Sequence, residues 1–308
     1  MSRSANCASG LFAGYLDPID MTGCFPANLS LEAINASVVT HGLRFPLIMD
    51  GKRSLAEHLE CAEWAPASAR FGPYVDNVLG MNWELPSGQA VRIGERVVKS
   101  TTGYDLQRFL LHSDHRFGRP LDYVLRLRPL GGAGACGQFS GNRTALTDLQ
   151  QRVRLSSWTH WIDSIDWVIT GNDEEAMQVR VDCRPGEESV FAEAFEKMAV
   201  RSGTEFSAGK EAPAPGLPGF SIKCLPGQAP RIARQCVGEL GGEARVLVVN
   251  GVVLVHSERP PDDDWLEELR RELHETGGHV SGKSLPEVEP ADLEAFWIRA
   301  IEEKWGAL

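Results

Sequence analysis

The sequence predicts an α+β protein, and three observations lead to that class. Residues 96–127 contain a turn signal, apolar residues at helical spacing, a polar loop and the alternating strand pattern of Tyr123–Leu127. Residues 175–256 alternate strand and helix patterns in the order β-α-β-α-β-β. Asn250-Gly251 joins the last two apolar runs and is a strong hairpin signal. Together they predict small antiparallel sheets with helices on one face.

Composition narrows the function classes. The chain has 308 residues, 43% of them hydrophobic and 24% charged, which is typical of a globular protein. Its net charge of −11 disfavours nucleic acid and anionic membrane surfaces as partners. No apolar run approaches the roughly 20 residues of a spanning helix, and no signal peptide is recognisable, so we expect a cytoplasmic protein.

The seven cysteines point to a reducing compartment. Their number is odd, and no two of them form a Cys-x-x-Cys pair. Scattered reduced thiols are therefore expected in preference to a disulfide framework.

The first part of the chain is predicted as an arm followed by a helix. Residues 1–27 lack a periodic pattern, so we expect a loose N-terminal arm. Ser30 is a plausible N-cap for a helix with Leu31, Ile34 and Val38 on one face, and Gly42 would end it.

The middle of the chain is predicted as a linker over residues 131–164. Gly132, Gly134 and Gly137 match G-x-G-x-x-G, but a polar, turn-rich segment follows instead of a helix, so a linker is favoured over a nucleotide loop. A cluster of aromatic residues lies at the end of the linker and just beyond it. It could be a cofactor box but is more typical of packing between two domains. Its members are Trp158, His160, Trp161 and Trp167.

Residues 165–260 are predicted to form a separate small α/β domain, and residues 261–308 to form C-terminal helices. Metal and nucleophile motifs are weak throughout. His112 and His115 have a spacing that can serve a metal, yet they fall where a helix should end, so surface histidines are expected and no metal site is predicted. No catalytic residue emerges from the pattern.

One motif resembles a known family. The run Val98-Lys99-x-x-x-Gly103-Tyr104-Asp105-Leu106 precedes a helix, then Ser113 and Gly118, then a strand ending Leu-Arg-Leu-x-Pro. This pattern is similar to the FAD-binding domain of the vanillyl-alcohol-oxidase/p-cresol-methylhydroxylase superfamily, closest to the FAD-binding subunits of glycolate oxidase. Residues 72–80 and 85–88 resemble that family's strand entry and hairpin turn.

The resemblance implies a partial FAD-binding domain over residues 28–130, with residues 165–260 as the cap that covers the flavin. It also implies FAD as the cofactor and a set of cofactor-binding residues, in which Lys99 would face phosphate and Tyr104 would line the cofactor edge. The alternative is that the Gly-Tyr-Asp turn fixes the helix start, with Asp105 favourable to the helix dipole. The implied cofactor-binding residues are Lys99, Gly103, Tyr104, Asp105, Ser113 and Gly118.

The sequence departs from the family pattern in three places. Where the family has a Gly-Gly loop, this chain has Glu57 and His58, and a carboxylate beside a pyrophosphate is repulsive. Pro120 cannot donate a backbone N–H where a strand should contact the cofactor. Only about 27 residues precede Asn28, where the family has a Gly-rich pyrophosphate loop. We expect half of the FAD domain to be missing.

Two functional hypotheses follow. In the first, the protein is a degenerate, non-catalytic accessory or scaffold subunit of an oxidoreductase complex. In the second, it is an active flavin-dependent 2-hydroxy-acid dehydrogenase subunit whose FAD site a partner chain completes. Both predict another protein subunit or a second copy as the partner, because a half domain exposes apolar sheet. The isolated chain is expected to purify without flavin.

Overall fold

A computed structural model describes residues 13–61, 63–94, 106–111, 113, 116–132, 134–156, 161–172, 174–183, 186–209 and 216–282. The helices in these ranges are α1 Leu31–Val38, α2 Leu55–Cys61, α3 Ser68–Phe71, α4 Leu106–Leu111, α5 Arg143–Leu155, α6 Glu188–Ser202, α7 Ala229–Leu240 and α8 Asp263–His274.

The strands of the first unit are β1 Tyr15–Asp17, β2 Thr22–Pro26, β3 Leu43–Arg44, β4 Val78–Glu84, β5 Ala90–Gly94, β6 Arg119–Arg126 and β7 Arg128–Pro129. Those of the second unit are β8 Gly134–Ser140, β9 Ile162–Thr170, β10 Glu175–Asp182, β11 Glu205–Ala208, β12 Phe220–Lys223, β13 Glu243–Leu247, β14 Val252–His256 and β15 His279–Ser281.

The smaller sheet has the strand order β1-β2-β6-β4-β5. The predicted helix over residues 31–38 is confirmed as α1, and Ser30 Oγ accepts a hydrogen bond from Ala33 N at 3.2 Å. The apolar side of α1 packs into the core of this sheet with Met81 and Trp83 of β4. The predicted turn at residues 85–88 joins β4 to β5 in a hairpin.

The loose arm predicted for residues 1–27 is wrong for the part that the structure describes. β2 pairs antiparallel with β6 over five residues, and β1 pairs with the outer side of β2. The segment is too short to show a period, but its backbone groups complete the sheet, and Phe25 is buried in the core. Residues 1–12 lie outside the described residues.

The larger sheet has the strand order β11-β8-β10-β9-β13-β14-β12-β15, and neighbouring strands are antiparallel. Helices α5, α6, α7 and α8 share one core on one face of it. The predicted antiparallel sheet with helices on one side is therefore confirmed. Asn250 and Gly251 lie in the turn between β13 and β14, as the hairpin signal predicts.

The linker predicted for residues 131–164 is wrong. β8 lies inside the larger sheet, paired with β10 on one side and β11 on the other. Two glycines of residues 131–140 leave room for neighbouring side chains. A side chain at Gly137, within β8, would overlap the Phe206 ring, and one at Gly131, just before β8, would lie 2.6 Å from Asp182 Cγ. The glycine-rich sequence did not predict an interior strand. The glycines are compatible with a strand here because side chains of neighbouring elements fill the space beside them.

The second face of the larger sheet packs partly on the first unit. Leu247, Val252 and Leu254 belong to the core of the smaller sheet. Trp167 lies instead in the helix-facing core of the larger sheet, so its packing is within one unit and not between two, and Trp161 is exposed. Trp158 and His160 lie outside the described residues.

Two sequence expectations concern the surroundings of the chain. Cys136, Cys224 and Cys236 carry reduced thiols, as predicted for them. In the parts of the chain that the structure describes, no helix has both the length and the apolar character needed to cross a bilayer.

Candidate functional site

Four of the six predicted cofactor-binding residues lie outside the described residues. These are Lys99, Gly103, Tyr104 and Asp105. Ser113 is described and buried, and its Oγ donates a hydrogen bond to Leu110 O at 2.7 Å. In this structure, therefore, its hydroxyl satisfies a carbonyl group near the end of α4, and binding of a cofactor by Ser113 stays a prediction.

Gly118, the sixth residue, directly precedes β6, the strand that follows α4. Its φ is +113°, a conformation that favours glycine. A methyl group at Gly118 would overlap the Glu84 carbonyl oxygen and lie 2.7 Å from Trp83 Nε1. That indole donates a hydrogen bond to Phe117 O at 2.8 Å. Gly118 thus lets the chain approach β4 closely, and a cofactor role for it also stays a prediction.

The stretch aligned with the family's Gly-Gly loop is a helix in this protein. Ser54 and Glu57 form a capping box at the start of α2: Ser54 Oγ accepts from Glu57 N at 3.2 Å, and Glu57 Oε2 accepts from Ser54 N at 2.7 Å. The hydrogen bond from the Ser54 backbone is the main cause that lowers the pKa of Glu57. The carboxylate therefore stays charged and holds the helix start.

His58 is fully buried beneath the same helix. Its Nδ1 lies 2.7 Å from Ser54 O, and its Nε2 accepts from Asp50 N, 3.2 Å away. This pairing requires the neutral ring with the proton on Nδ1, and burial lowers the pKa of His58 accordingly. Both residues that replace the family's glycines therefore have structural partners in the fold.

A row of polar side chains crosses the second face of the larger sheet. Asp166 lies opposite Gln178 of β10 on one side and Leu247 of β13 on the other, and Arg245 precedes Leu247 by two residues, so all of them share one face. Arg245 Nη1 donates to Gln178 Oε1 at 3.0 Å and lies 3.5 Å from Asp166 Oδ2. Its Nη2 donates to Glu243 Oε1 at 3.2 Å. We call Gln178, Asp166, Arg245 and Glu243 the polar row.

The polar row is buried and incompletely paired. The side chains of Asp166 and Arg245 are only 5% and 7% exposed, yet Asp166 Oδ1 and Arg245 Nε find no hydrogen-bond partner among the described residues. Burial raises the pKa of Asp166 to about 6, against the opposing effect of Arg245. One donor and one acceptor are thus left open, which is the pattern of a group that can hold a polar ligand.

Sequence reasoning missed the polar row. Asp166 and Arg245 are 79 residues apart and come together only through strand pairing. The available signal was a charged residue inside each of two apolar strands, because buried charges in strands are rare unless they are paired.

We expect Asp166 to titrate near pH 6. Its folded pKa is raised, so its contribution to stability is fully present below the unfolded value and is lost as the pH rises through about 6. Carboxyl ¹³C NMR with pH, assigned by the Asp166→Asn variant, measures this. A midpoint near 4 would show that the carboxylate is solvated in solution.

Metal ligation has no support in the described part of the chain, where no three histidine, cysteine, aspartate or glutamate side chains are grouped to hold an ion. His112 and His115 lie outside the described residues.

The fold is shared with solved structures that are very different from this chain in sequence. Two solved structures of alkyldihydroxyacetonephosphate synthase align with TM-scores of 0.57 and 0.60. They cover 85% and 96% of this chain and 62% and 64% of their own, at 10% and 9% sequence identity. Identity this low shows the fold alone.

The sequence relatives have the names of oxidoreductases, which confirms the resemblance. Mitochondrial D-lactate dehydrogenase [cytochrome] of Arabidopsis thaliana is 30% identical over 97 residues, which make up 32% of this chain and 17% of the relative. An uncharacterized FAD-linked oxidoreductase of Mycobacterium tuberculosis is 24% identical over 115 residues, or 37% of this chain and 25% of the relative. The chain therefore matches a quarter or less of these relatives' lengths. No protein-family model matches it.

Proposed function

We propose that this protein is a non-catalytic accessory or scaffold subunit of an FAD-linked oxidoreductase complex. It keeps the fold of the flavin enzymes without an FAD site of its own. The observation that carries the proposal is helix α2, which occupies the stretch aligned with the family's glycine loop. The proposal includes a protein partner, either another subunit or a second copy, and a cytoplasmic location.

The physical argument concerns the amides that a flavin phosphate would need. Phosphates are bound by free backbone N–H groups at glycine-rich turns, where no side chain intervenes. At the start of α2 the Ser54 amide donates to Glu57 Oε2 and the Glu57 amide donates to Ser54 Oγ, so both are already paired. The Glu57 carboxylate would also repel a pyrophosphate. These residues do not fit FAD.

The proposal of a protein partner is based on the edge strands of the two sheets. β1 and β5 end the smaller sheet, and β11 and β15 end the larger one. Edge strands present unpaired backbone groups to which another chain can add. A subunit with such edges is suited to assembly.

The polar row favours the alternative function, an active 2-hydroxy-acid dehydrogenase subunit whose FAD is held by a partner chain. Arg245 has a guanidinium suited to a carboxylate, and Asp166, with a pKa near 6, is suited to accept a proton near neutral pH. Both have an open hydrogen-bonding atom. The first function has priority because α2 conflicts directly with cofactor binding.

We expect the purified chain to be colourless and to show no flavin absorbance band. The reason is the paired amides and the carboxylate at the start of α2. The measurement is the visible spectrum of the protein before and after incubation with excess FAD, followed by desalting. Light scattering on the same preparation reports its state of association.

The two functions give different results in a second preparation, in which the chain is co-expressed with the oxidoreductase subunits of its source organism. A complex whose flavin content and turnover persist when Arg245→Gln replaces the wild-type chain supports the accessory function. A yellow isolated chain with equimolar FAD would refute it, and turnover lost with Arg245→Gln would favour the alternative.

A further inference from the structure

Three arginine side chains surround one aromatic ring where the two units meet. The guanidinium carbons of Arg44, Arg70 and Arg128 lie 5.8, 5.1 and 5.5 Å from the centre of the Phe71 ring. Arg44 and Arg128 are opposite each other in the β3–β7 pair, and Arg70 lies beside Phe71 in α3. We call these three arginines and Phe71 the arginine cluster.

Two aspartates of the larger sheet pair with two of these arginines. Arg44 Nη2 lies 2.9 Å from Asp182 Oδ2 and 3.5 Å from Asp163 Oδ2. Arg70 Nη1 lies 2.7 Å from Asp163 Oδ1 and 3.2 Å from Asp182 Oδ2. Both aspartate side chains are at most 15% exposed, so these pairs are shielded from solvent.

Arg128 has no carboxylate among its partners in the described residues. Its Nη2 donates to the neutral Asn77 Oδ1 at 3.2 Å. The pKa of Arg128 is lowered by burial, and in addition by Arg126 and Arg70. Among the residues that the structure describes, the buried Nε atoms of Arg44 and Arg128 have no hydrogen-bond partner. The three guanidinium groups of the arginine cluster therefore face two carboxylates, which leaves one positive charge uncompensated.

This surplus is unusual in a chain with a net charge of −11. Buried or half-buried charges are ordinarily paired, because an unpaired one loses hydration without a compensating partner. Arginine is also the residue whose planar fork matches oxyanions with two hydrogen bonds. Arg44 and Arg70 are 22% and 29% exposed, so a small solute can reach the cluster.

We infer that the arginine cluster is a binding site for an oxyanion of the phosphate class, either free phosphate or a phosphate monoester. A negatively charged ligand would compensate the surplus positive charge. Arg128 supplies the guanidinium that lacks a carboxylate partner among the described residues, while Asp163 and Asp182 hold Arg44 and Arg70 in place. The site lies outside α2 and outside the polar row, so it does not depend on whether the chain binds flavin.

The test is isothermal titration calorimetry of the full chain with inorganic phosphate at constant ionic strength, with chloride as the balancing anion. We expect saturable binding that Arg128→Gln weakens by about tenfold, because one charge-assisted fork is lost. Arg128→Lys keeps the charge without the fork and should fall between the two. A titration with glycerol 2-phosphate separates the sources, since tighter binding than that of phosphate indicates a monoester as ligand.

Arg231→Gln is the matched control. It removes the same charge from α7, where the side chain is 54% exposed and pairs with Glu272. Phosphate binding should not change in this variant. The inference is overturned if the wild-type chain shows no saturable heat, or if Arg231→Gln weakens binding as much as the change at Arg128. Circular dichroism of each variant verifies folding, and if Arg128→Gln does not fold, the comparison of Arg128→Lys with wild type decides.

Discussion

The Gly118→Ala variant is expected to lose about 3 kcal/mol or more of its free energy of unfolding. The added methyl group would overlap the Glu84 carbonyl oxygen, which belongs to the backbone of β4 and cannot rotate away. It would also press on Trp83, which is buried and donates to Phe117 O. A φ of +113° adds strain that an alanine cannot relieve in place. Urea unfolding followed by circular dichroism measures the loss.

Gly88→Ala provides the comparison for backbone conformation alone. Its φ is +85°, but nothing lies within 4 Å of the added methyl group. The expected loss is therefore only about 1 kcal/mol, the cost of the left-handed conformation. Equal losses at the two positions would mean that the close approach of Gly118 to β4 contributes nothing.

The Glu175→Ala variant is expected to lose about 1 to 3 kcal/mol of its free energy of unfolding, because it leaves the buried Trp167 indole and the partly buried Arg234 without their acceptor. Glu175 Oε1 and Oε2 accept two bonds of 2.8 Å from Arg234, and Oε1 accepts a third of 2.8 Å from Arg143. Trp167 Nε1 donates to Oε2 at 3.1 Å. The Glu175 side chain is only 4% exposed, but Arg234 and Arg143 are 26% and 56% exposed, so water can replace part of what these two arginines lose.

Glu193→Ala is the matched control for the removal of a carboxylate. It pairs with Lys197 on the surface of α6, where both side chains are about two-thirds exposed. A surface pair of this kind contributes little to stability, and almost no change in the denaturant midpoint is expected. Denaturant midpoints of both variants decide the matter. A loss at Glu175 as small as that at Glu193 would refute the view that this carboxylate anchors the end of β10.

The candidate site was only partly accessible from the sequence. The Gly-Tyr-Asp-Leu motif indicated the family, and the comparisons support that resemblance. The replacement of two glycines by Glu57 and His58 marked the place where the chain departs from it. The helix itself had a local signal that the comparison with the family obscured, since Ser54-x-x-Glu57 matches the sequence pattern of a capping box.

What the sequence determined by itself was the α+β class, the helix start at Ser30 and the turn at Asn250-Gly251. Each depends on neighbours along the chain: a cap, a period or a turn residue. Only the tertiary structure decided that glycine-rich β8 is a central strand, and that Asp166 meets Arg245. It also placed Arg128 beside Phe71 with a charge left unpaired. These three features depend on which strands pair and on how residues far apart in the sequence pack together. A local sequence pattern contains no information about either.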